Sequence, residues 1–314
     1  MILQLVIRRL FFLILVLLGL SLITFTLSHV VPSDPARLYA GPRATAATLI
    51  QIRHQFGLDK PVWQQYTTYL SHLLHGDFGY SLTSHRPVSA DLKDYLPATL
   101  ELTLAAIVMI LLIGVPLGVL SSLRPGSPMD QVGRFVSITG VALPAFWLGL
   151  MAQLFFFDQR GWLPSGGRLD PNVAPPRHIT GLYTVDSLLT LNFHTFFLSL
   201  EYLVMPAAVL GYGSLAVLTR MLRSSMLETL AQDYVRTARA KGLRSQAVVI
   251  RHALRNALLP ATTVMGLQVG TLLGGALLVE DVFSWPGIGR YATNATINLV
   301  YNAFMGITLV AAFI

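Results

Sequence analysis

The chain has no cysteine. That removes a disulfide framework, a thiolate nucleophile and a cysteine-ligated metal. Charge is also scarce: Asp, Glu, Lys and Arg make up 12% of the 314 residues, against about a quarter in a typical soluble domain. Lysine occurs three times, as Lys60 before Pro, Lys93 before Asp and Lys241 before Gly. A phosphate-binding loop needs Gly-Lys followed by Ser or Thr, so that backbone amides cradle the phosphates and the Lys neutralises them. None of the three fits, so ATP hydrolysis by that route is excluded. There is no Gly-x-Ser-x-Gly nucleophile elbow and no His-Glu-x-x-His. His72 and His75 are three apart and can share a helix face, yet nothing completes a tetrahedral set, and no metal site is expected. No catalytic constellation remains, and the chain is not expected to be an enzyme.

What is present is apolar: 54% hydrophobic residues and a mean hydropathy of +0.61. Runs without Asp, Glu, Lys or Arg cover Leu10–Val31, Leu102–Leu123, Phe135–Phe157, Tyr202–Thr219 and Asn256–Val279. Each approaches the roughly 20 residues a helix needs to cross the hydrocarbon core. A further apolar stretch, about 302–314, is still apolar at Ile314, so the chain is expected to end inside a sixth span with a C-terminal portion beyond it. The expected fold is an all-α integral membrane protein of six spans in lipid. It divides into an N-terminal transmembrane helix (1–31), an extracytoplasmic segment (32–97) and a core (98–314). The first run is longer than the apolar stretch of a signal peptide and lacks a small-x-small cleavage site, so it is expected to stay as an anchor.

The net charge of +7 is concentrated beside the spans, with eight basic residues between Arg220 and Arg255. This is a pattern of orientation signals, not of nucleic-acid binding. With six alternating spans, Arg8 and Arg9, Arg124 and Arg134, and the Arg220–Arg255 group all fall on one side, which the positive-inside rule makes cytoplasmic together with the N-terminus. On the other side, the spacing predicts helices over Ala47–Phe56, ended by Gly57, and Pro61–Leu74, ended by Gly76. Trp63, Tyr66, Tyr69, Leu70 and Leu73 recur at helical spacing, as expected of a face that packs on the spans or lies at the interface.

The polar stretch 220–255 is the most distinctive. Tyr234–Lys241 is rich in helix formers, Gly242 stands where a left-handed residue ends a helix, and basic residues sit near that end, where the helix dipole favours cations. Such an element is built to dock on a partner; a plain set of orientation charges is the simpler alternative. Gly114 and Gly118, and Gly266, Gly270 and Gly274, recur every four residues, a spacing that lets helices approach closely. Ordinary packing explains both sets, and the second can also face a companion subunit or a pathway. Pro116, Pro144 and Pro206 mark kink positions. Glu101, Glu201 and Glu280-Asp281 lie at span ends, where a carboxylate can reach the interface; Glu280, with Trp285, Pro286 and Gly287, is the candidate outer gate.

Several segments together resemble the permease subunits of bacterial ABC importers of the dipeptide, oligopeptide and nickel group. They are Pro32-Ser-Asp-Pro-Ala-Arg37, Phe56-Gly-Leu-Asp-Lys-Pro61, Gly76-Asp-Phe-Gly79 with Arg86-Pro-Val88, Leu96-Pro-Ala-Thr-Leu100, Asp233–Gly242 and Phe283-Ser-Trp-Pro-Gly-Ile-Gly-Arg290. The resemblance covers essentially the whole chain. It implies a type I importer permease fold that carries short peptides, dipeptides first, with nickel, glutathione or another small solute as alternative cargo. It implies a second homologous permease, two ATP-binding subunits that hold the ATP and Mg, and an extracytoplasmic binding protein; no cofactor is expected in this chain. Asp233, Tyr234, Arg236, Ala238, Arg239, Ala240, Lys241 and Gly242 match the loop such permeases insert into the ATPase, although Thr237-Ala238 replaces much of the usual Glu-Ala-Ala start. A stand-alone secondary transporter would need mid-span charges or inverted repeats, and neither is found.

Overall fold

The computed structural model describes residues 2–30, 36, 44–55, 57–81, 84–298 and 300–313. Most of the Pro32–Arg37 motif, the end of the first predicted span at Val31, and Phe56 lie outside the described residues. The backbone is almost wholly helical. It divides into two compact units, one of residues 1–96 with 291–314, the other Pro97–Arg290.

In the first unit, α1 (Ile2–Val30) is the N-terminal apolar helix, followed by α2 (Ala46–Gln55) and α3 (Val62–Leu74). Gly57 and Gly76 have φ of +64° and +74°. The aromatic face of α3 meets α1: the Tyr66 hydroxyl lies 3.0 Å from Ser21 Oγ, and the Phe25 ring is 5.2 and 5.8 Å from those of Tyr66 and Tyr69. A short antiparallel ribbon, β1 (Tyr80–Ser81) with β2 (Arg86–Pro87), precedes α4 (Val88–Leu123), whose first turns belong to this unit. There Asp91 is buried and accepts from the hydroxyls of Tyr291 at 2.8 Å and Ser84 at 2.5 Å. The apolar C-terminal helix, Tyr301–Phe313, packs beside α1.

The second unit holds the main core. After a π-helical turn at Ile110–Gly114, α4 ends at Leu123, and Ser127 caps α5 (Pro128–Ala142) by accepting from the Asp130 N–H. The chain then turns sharply into α6 (Ala145–Gln159), 111° from α5. Phe135–Phe157 is therefore not one straight span, as its apolar run suggested. Pro144 biases the residue before it away from helix, and Leu143 is extended, with φ −94° and ψ 128°. A loop and α7 (Tyr183–Leu189) lead to α8 (Phe193–Leu230), a 38-residue helix that includes Pro206. It is followed by α9 (Asp233–Ala240), α10 (Ser245–Val282, with a π-helical stretch at Val248–Leu254) and α11 (Ile288–Ile297); the C-terminal helix is α12.

Four helices are long and apolar enough to cross a membrane among the described residues, five if the bent α5–α6 pair is one span. α12 has 13 residues, short of the roughly 20 needed to cross. Helix ends also depart from the charge-defined runs. α4 starts at Val88 instead of near Leu102, and α8 and α10 extend far into 220–255, leaving only a short polar link carrying α9. Charge does not stop a helix, and α4 runs on through Pro97. Residues 291–314 cluster with the N-terminal unit, whereas the sequence had placed them in one core from 98 to 314.

α8 is the axis of the second unit and contacts α4, α5, α6, α7 and α10. Its buried Leu203, Leu218, Leu222 and Met226 join Leu102, Ile110, Phe283 and Trp285 in one apolar cluster.

Candidate functional site

Two places on the second unit carry the candidate residues, at opposite ends of α10. The first is α9. Val235 and Ala238 are buried with Val248 and against Leu230, so the inner face of α9 is fixed to the end of α8 and the start of α10. Its other residues, Asp233, Tyr234, Arg236, Thr237, Arg239 and Ala240, are exposed, as are Lys241 and Gly242 just beyond the helix. Arg236 reaches Asp233 at 3.4 Å, while Arg239 and Lys241 make no ion pair among the described residues. The Tyr234 hydroxyl accepts from Asn256 Nδ2 at 2.7 Å, tying α9 to α10. Gly242 has φ +74°, and a Cβ there would meet nothing within 4 Å. Glycine is needed for the left-handed backbone alone. Its N–H donates to the Arg239 carbonyl at 2.9 Å, and that of Leu243 to Ala238 at 3.4 Å, the paired bonds of a Schellman ending.

The second place is the loop after α10. Glu280 does not reach the interface as a span-end acid was expected to. It is fully buried, accepting from Thr99 Oγ1 at 2.6 Å and from the Arg290 N–H at 3.0 Å. Thr99 in turn accepts from the Ile288 N–H at 2.8 Å. Trp285 is buried and donates from Nε1 to the Ala98 carbonyl at 2.9 Å. Gly287 and Gly289 are required by crowding: a Cβ on the first would lie 2.0 Å from Glu280 Oε1, and on the second 2.4 Å from Leu277 Cα. Pro286 is half-buried. The four expected gate residues thus form one bracket that holds Phe283–Arg290 against Ala98 and Thr99 of α4. Beside it, Gln153 Nε2 donates to the Ser165 and Val282 carbonyls at 2.6 and 2.9 Å.

Glu101, also expected at the interface, is buried too. Arg168 Nε and Nη2 donate to its Oε2 at 2.9 and 2.5 Å, and the Thr184 N–H and hydroxyl donate to its Oε1, both at 2.7 Å. Asp186 is held by the N–H groups of Ile179, Thr180 and Gly181 and by the Thr180 hydroxyl. Burial pushes its carboxyl up, but these hydrogen bonds outweigh it and hold the group below its ordinary value. At the α4–α5 corner, Asp130 is buried between Arg223 Nε at 2.6 Å, Arg134 at 2.9 Å and the Gly126 N–H at 2.9 Å. Sequence reasoning had assigned no part to Thr99, Gln153 or Arg168 and counted Arg223 only among the orientation charges, although the Leu96–Leu100 segment carried Thr99 among the resembling motifs.

The two glycine sets differ. Gly114 and Gly118 lie against α8, and a Cβ on Gly118 would sit 3.1 Å from the Thr219 carbonyl. A Cβ on Gly266, Gly270 or Gly274 would meet nothing within 4 Å among the described residues, so packing against those residues does not explain them. His72 pairs with Asp77 at 2.8 Å, and the described residues hold no metal-binding cluster.

Residues 114–314 match the family described as "Binding-protein-dependent transport system inner membrane component", and residues 2–103 match the N-terminal part of the membrane components of such systems. The chain belongs to this family. It is a multi-pass inner-membrane permease component of an ABC importer. Among curated relatives, it is 46% identical to the probable D,D-dipeptide transport system permease protein DdpB of Escherichia coli, over 98% of this chain and 90% of that one. It is 41% identical to the dipeptide transport system permease protein DppB of E. coli, over 99% and 92%. With the glutathione transport system permease protein GsiC of Salmonella typhi, the identity is 39% over 91% and 84%.

Proposed function

We propose that this chain forms, with a second homologous permease, the path by which an ATP-driven importer moves short peptides, dipeptides first, into the cytoplasm. The observation that carries this is α9. It is a short helix whose inner face is locked to two long helices and whose outer face presents Arg236, Arg239 and Lys241. Such a part suits docking on a separate ATP-binding subunit, which supplies ATP and Mg. Two of those subunits, an extracytoplasmic binding protein and surrounding lipid complete the machine. The names of the dipeptide-transport relatives support the substrate class. The open glycine face of α10 is where the second permease packs, and the basic ends of the spans, with the N-terminus, face the cytoplasm.

ATP binding can drive the transport cycle only by favouring one global state over the other. α9 carries that preference because it cannot move without α8 and α10. Gentle extraction of the chain from its native membrane, mass spectrometry of what co-purifies, and uptake of labelled dipeptides, glutathione and nickel by the reconstituted assembly test the reading. Recovery of a second permease and ATPases with ATP-dependent dipeptide uptake is expected. A chain that purifies alone and moves solute without ATP refutes it.

A further inference from the structure

A cavity of about 260 Å³ opens where α5 bends into α6, bounded by Leu143 and Leu148 of the bend, Val209 and Ser214 of α8, and Gln268 and Thr271 of α10. Its lining is mostly apolar apart from one polar cluster. Gln268 lies at the centre of the uncharged run Asn256–Val279, at mid-span by sequence. Its Oε1 accepts from the Ser214 hydroxyl at 3.1 Å, and the Thr271 hydroxyl reaches the same oxygen at 2.7 Å. With that oxygen engaged, Nε2 is the free end of the amide, with no hydrogen-bond partner among the described residues. An amide donor left unpaired in hydrocarbon costs several kcal/mol, so a mid-span donor of this kind belongs beside water or a polar ligand.

We propose that this cavity is part of the transport path and that Gln268 is a substrate-contacting residue, its Nε2 donating to a main-chain carbonyl or terminal carboxylate oxygen of a short peptide in passage. Ser214 and Thr271 are positioning residues that hold the amide with its donor end free. The geometry suits a peptide: one free amide donor in a mostly apolar wall grips a carbonyl common to all sequences and leaves side chains unread. The ligand class rests on the peptide reading above; the assignment of the cavity as a water-filled path does not.

The chain's lack of cysteine makes Ser214→Cys a single-thiol probe in this subunit. In the assembled transporter in proteoliposomes, Ser214→Cys is expected to react with a membrane-impermeant cationic thiosulfonate, and saturating alanyl-alanine is expected to slow the reaction. Gln268→Leu is expected to lower kcat/KM for alanyl-alanine uptake by roughly threefold to tenfold, the loss of one neutral hydrogen bond, while Gln268→Asn keeps part of it. Wild-type uptake of the dipeptide with an unchanged Gln268→Leu rate overturns the contact. A thiol at 214 that stays inert in a transporting complex overturns the path. Absence of dipeptide uptake by the wild type overturns the peptide ligand instead, and the labelling result then decides the path by itself.

Discussion

Removing Arg168 should destabilise the protein more than removing it together with its partner. Arg168 and Glu101 are 7% and 4% exposed, so both charges are out of water. Arg168→Met leaves a carboxylate buried without its cation, at a cost of about 3–5 kcal/mol. In a unit of this size, a kcal/mol corresponds to about 2–4 °C, so the apparent unfolding temperature should fall by about 6–20 °C. Glu101→Leu strands the guanidinium and should cost a similar amount. The double variant removes both charges. It still leaves the Thr184 N–H and hydroxyl without an acceptor and the Gly181 carbonyl without the Arg168 donor that now lies 2.6 Å away. Each lost hydrogen bond is worth about 1 kcal/mol. The double variant should therefore lose about 2–3 kcal/mol, less than either single change. Thermal unfolding of the detergent-solubilised transporter, followed by intrinsic fluorescence, measures all three. Additive losses, or an Arg168→Met shift within a degree of wild type, would refute the reasoning.

Gly289→Ala places a Cβ 2.4 Å from the Leu277 backbone; it should cost about 1–3 kcal/mol by overpacking, visible in the same unfolding assay. A Cβ on Gly270 meets nothing within 4 Å among the described residues, so Gly270→Leu should fold normally yet fail to retain its companion permease on size exclusion. Gly242→Pro cannot adopt φ +74°; with Arg239→Glu as a second variant, it should abolish uptake while topology, read by site-specific labelling, stays unchanged. The carboxyl of Asp186 is held below its ordinary value of 3.8. Its contribution is therefore complete above the ordinary carboxylate range and is lost as pH falls through the lowered value. The protection of the Ile179–Gly181 amides, with exchange corrected for the intrinsic rate at each pH, should be full above the ordinary carboxylate range and fall as pH drops through the lowered value.

α9 was legible in the sequence because its signals are local: helix formers, a terminal glycine and flanking charge all fall within ten residues. The α5–α6 bend was not. Residues on both sides of Pro144 are equally apolar, so a count of uncharged residues runs straight through it. The buried pairs were hidden for another reason. Glu101 and Arg168 are 67 residues apart, and a lone acid at a span end looks the same whether its partner is water or a guanidinium. The glycine sets show the limit of periodicity. Both recur every four residues, yet one packs against α8 and the other is open, because spacing says how closely a neighbour can come and not which neighbour arrives. Gln268 was passed over because amides carry no charge and leave an apolar run uninterrupted.

α10 runs as a 38-residue helix from beside α9 to the Glu280 bracket. At 1.5 Å per residue it is roughly 57 Å long, so a tilt of about 5° pivoting at the α9 end swings the other end by about 5 Å. A rod of that length acts as a lever: a displacement too small to break the contacts of Val235 and Ala238 becomes, at the far end, about the thickness of a peptide backbone.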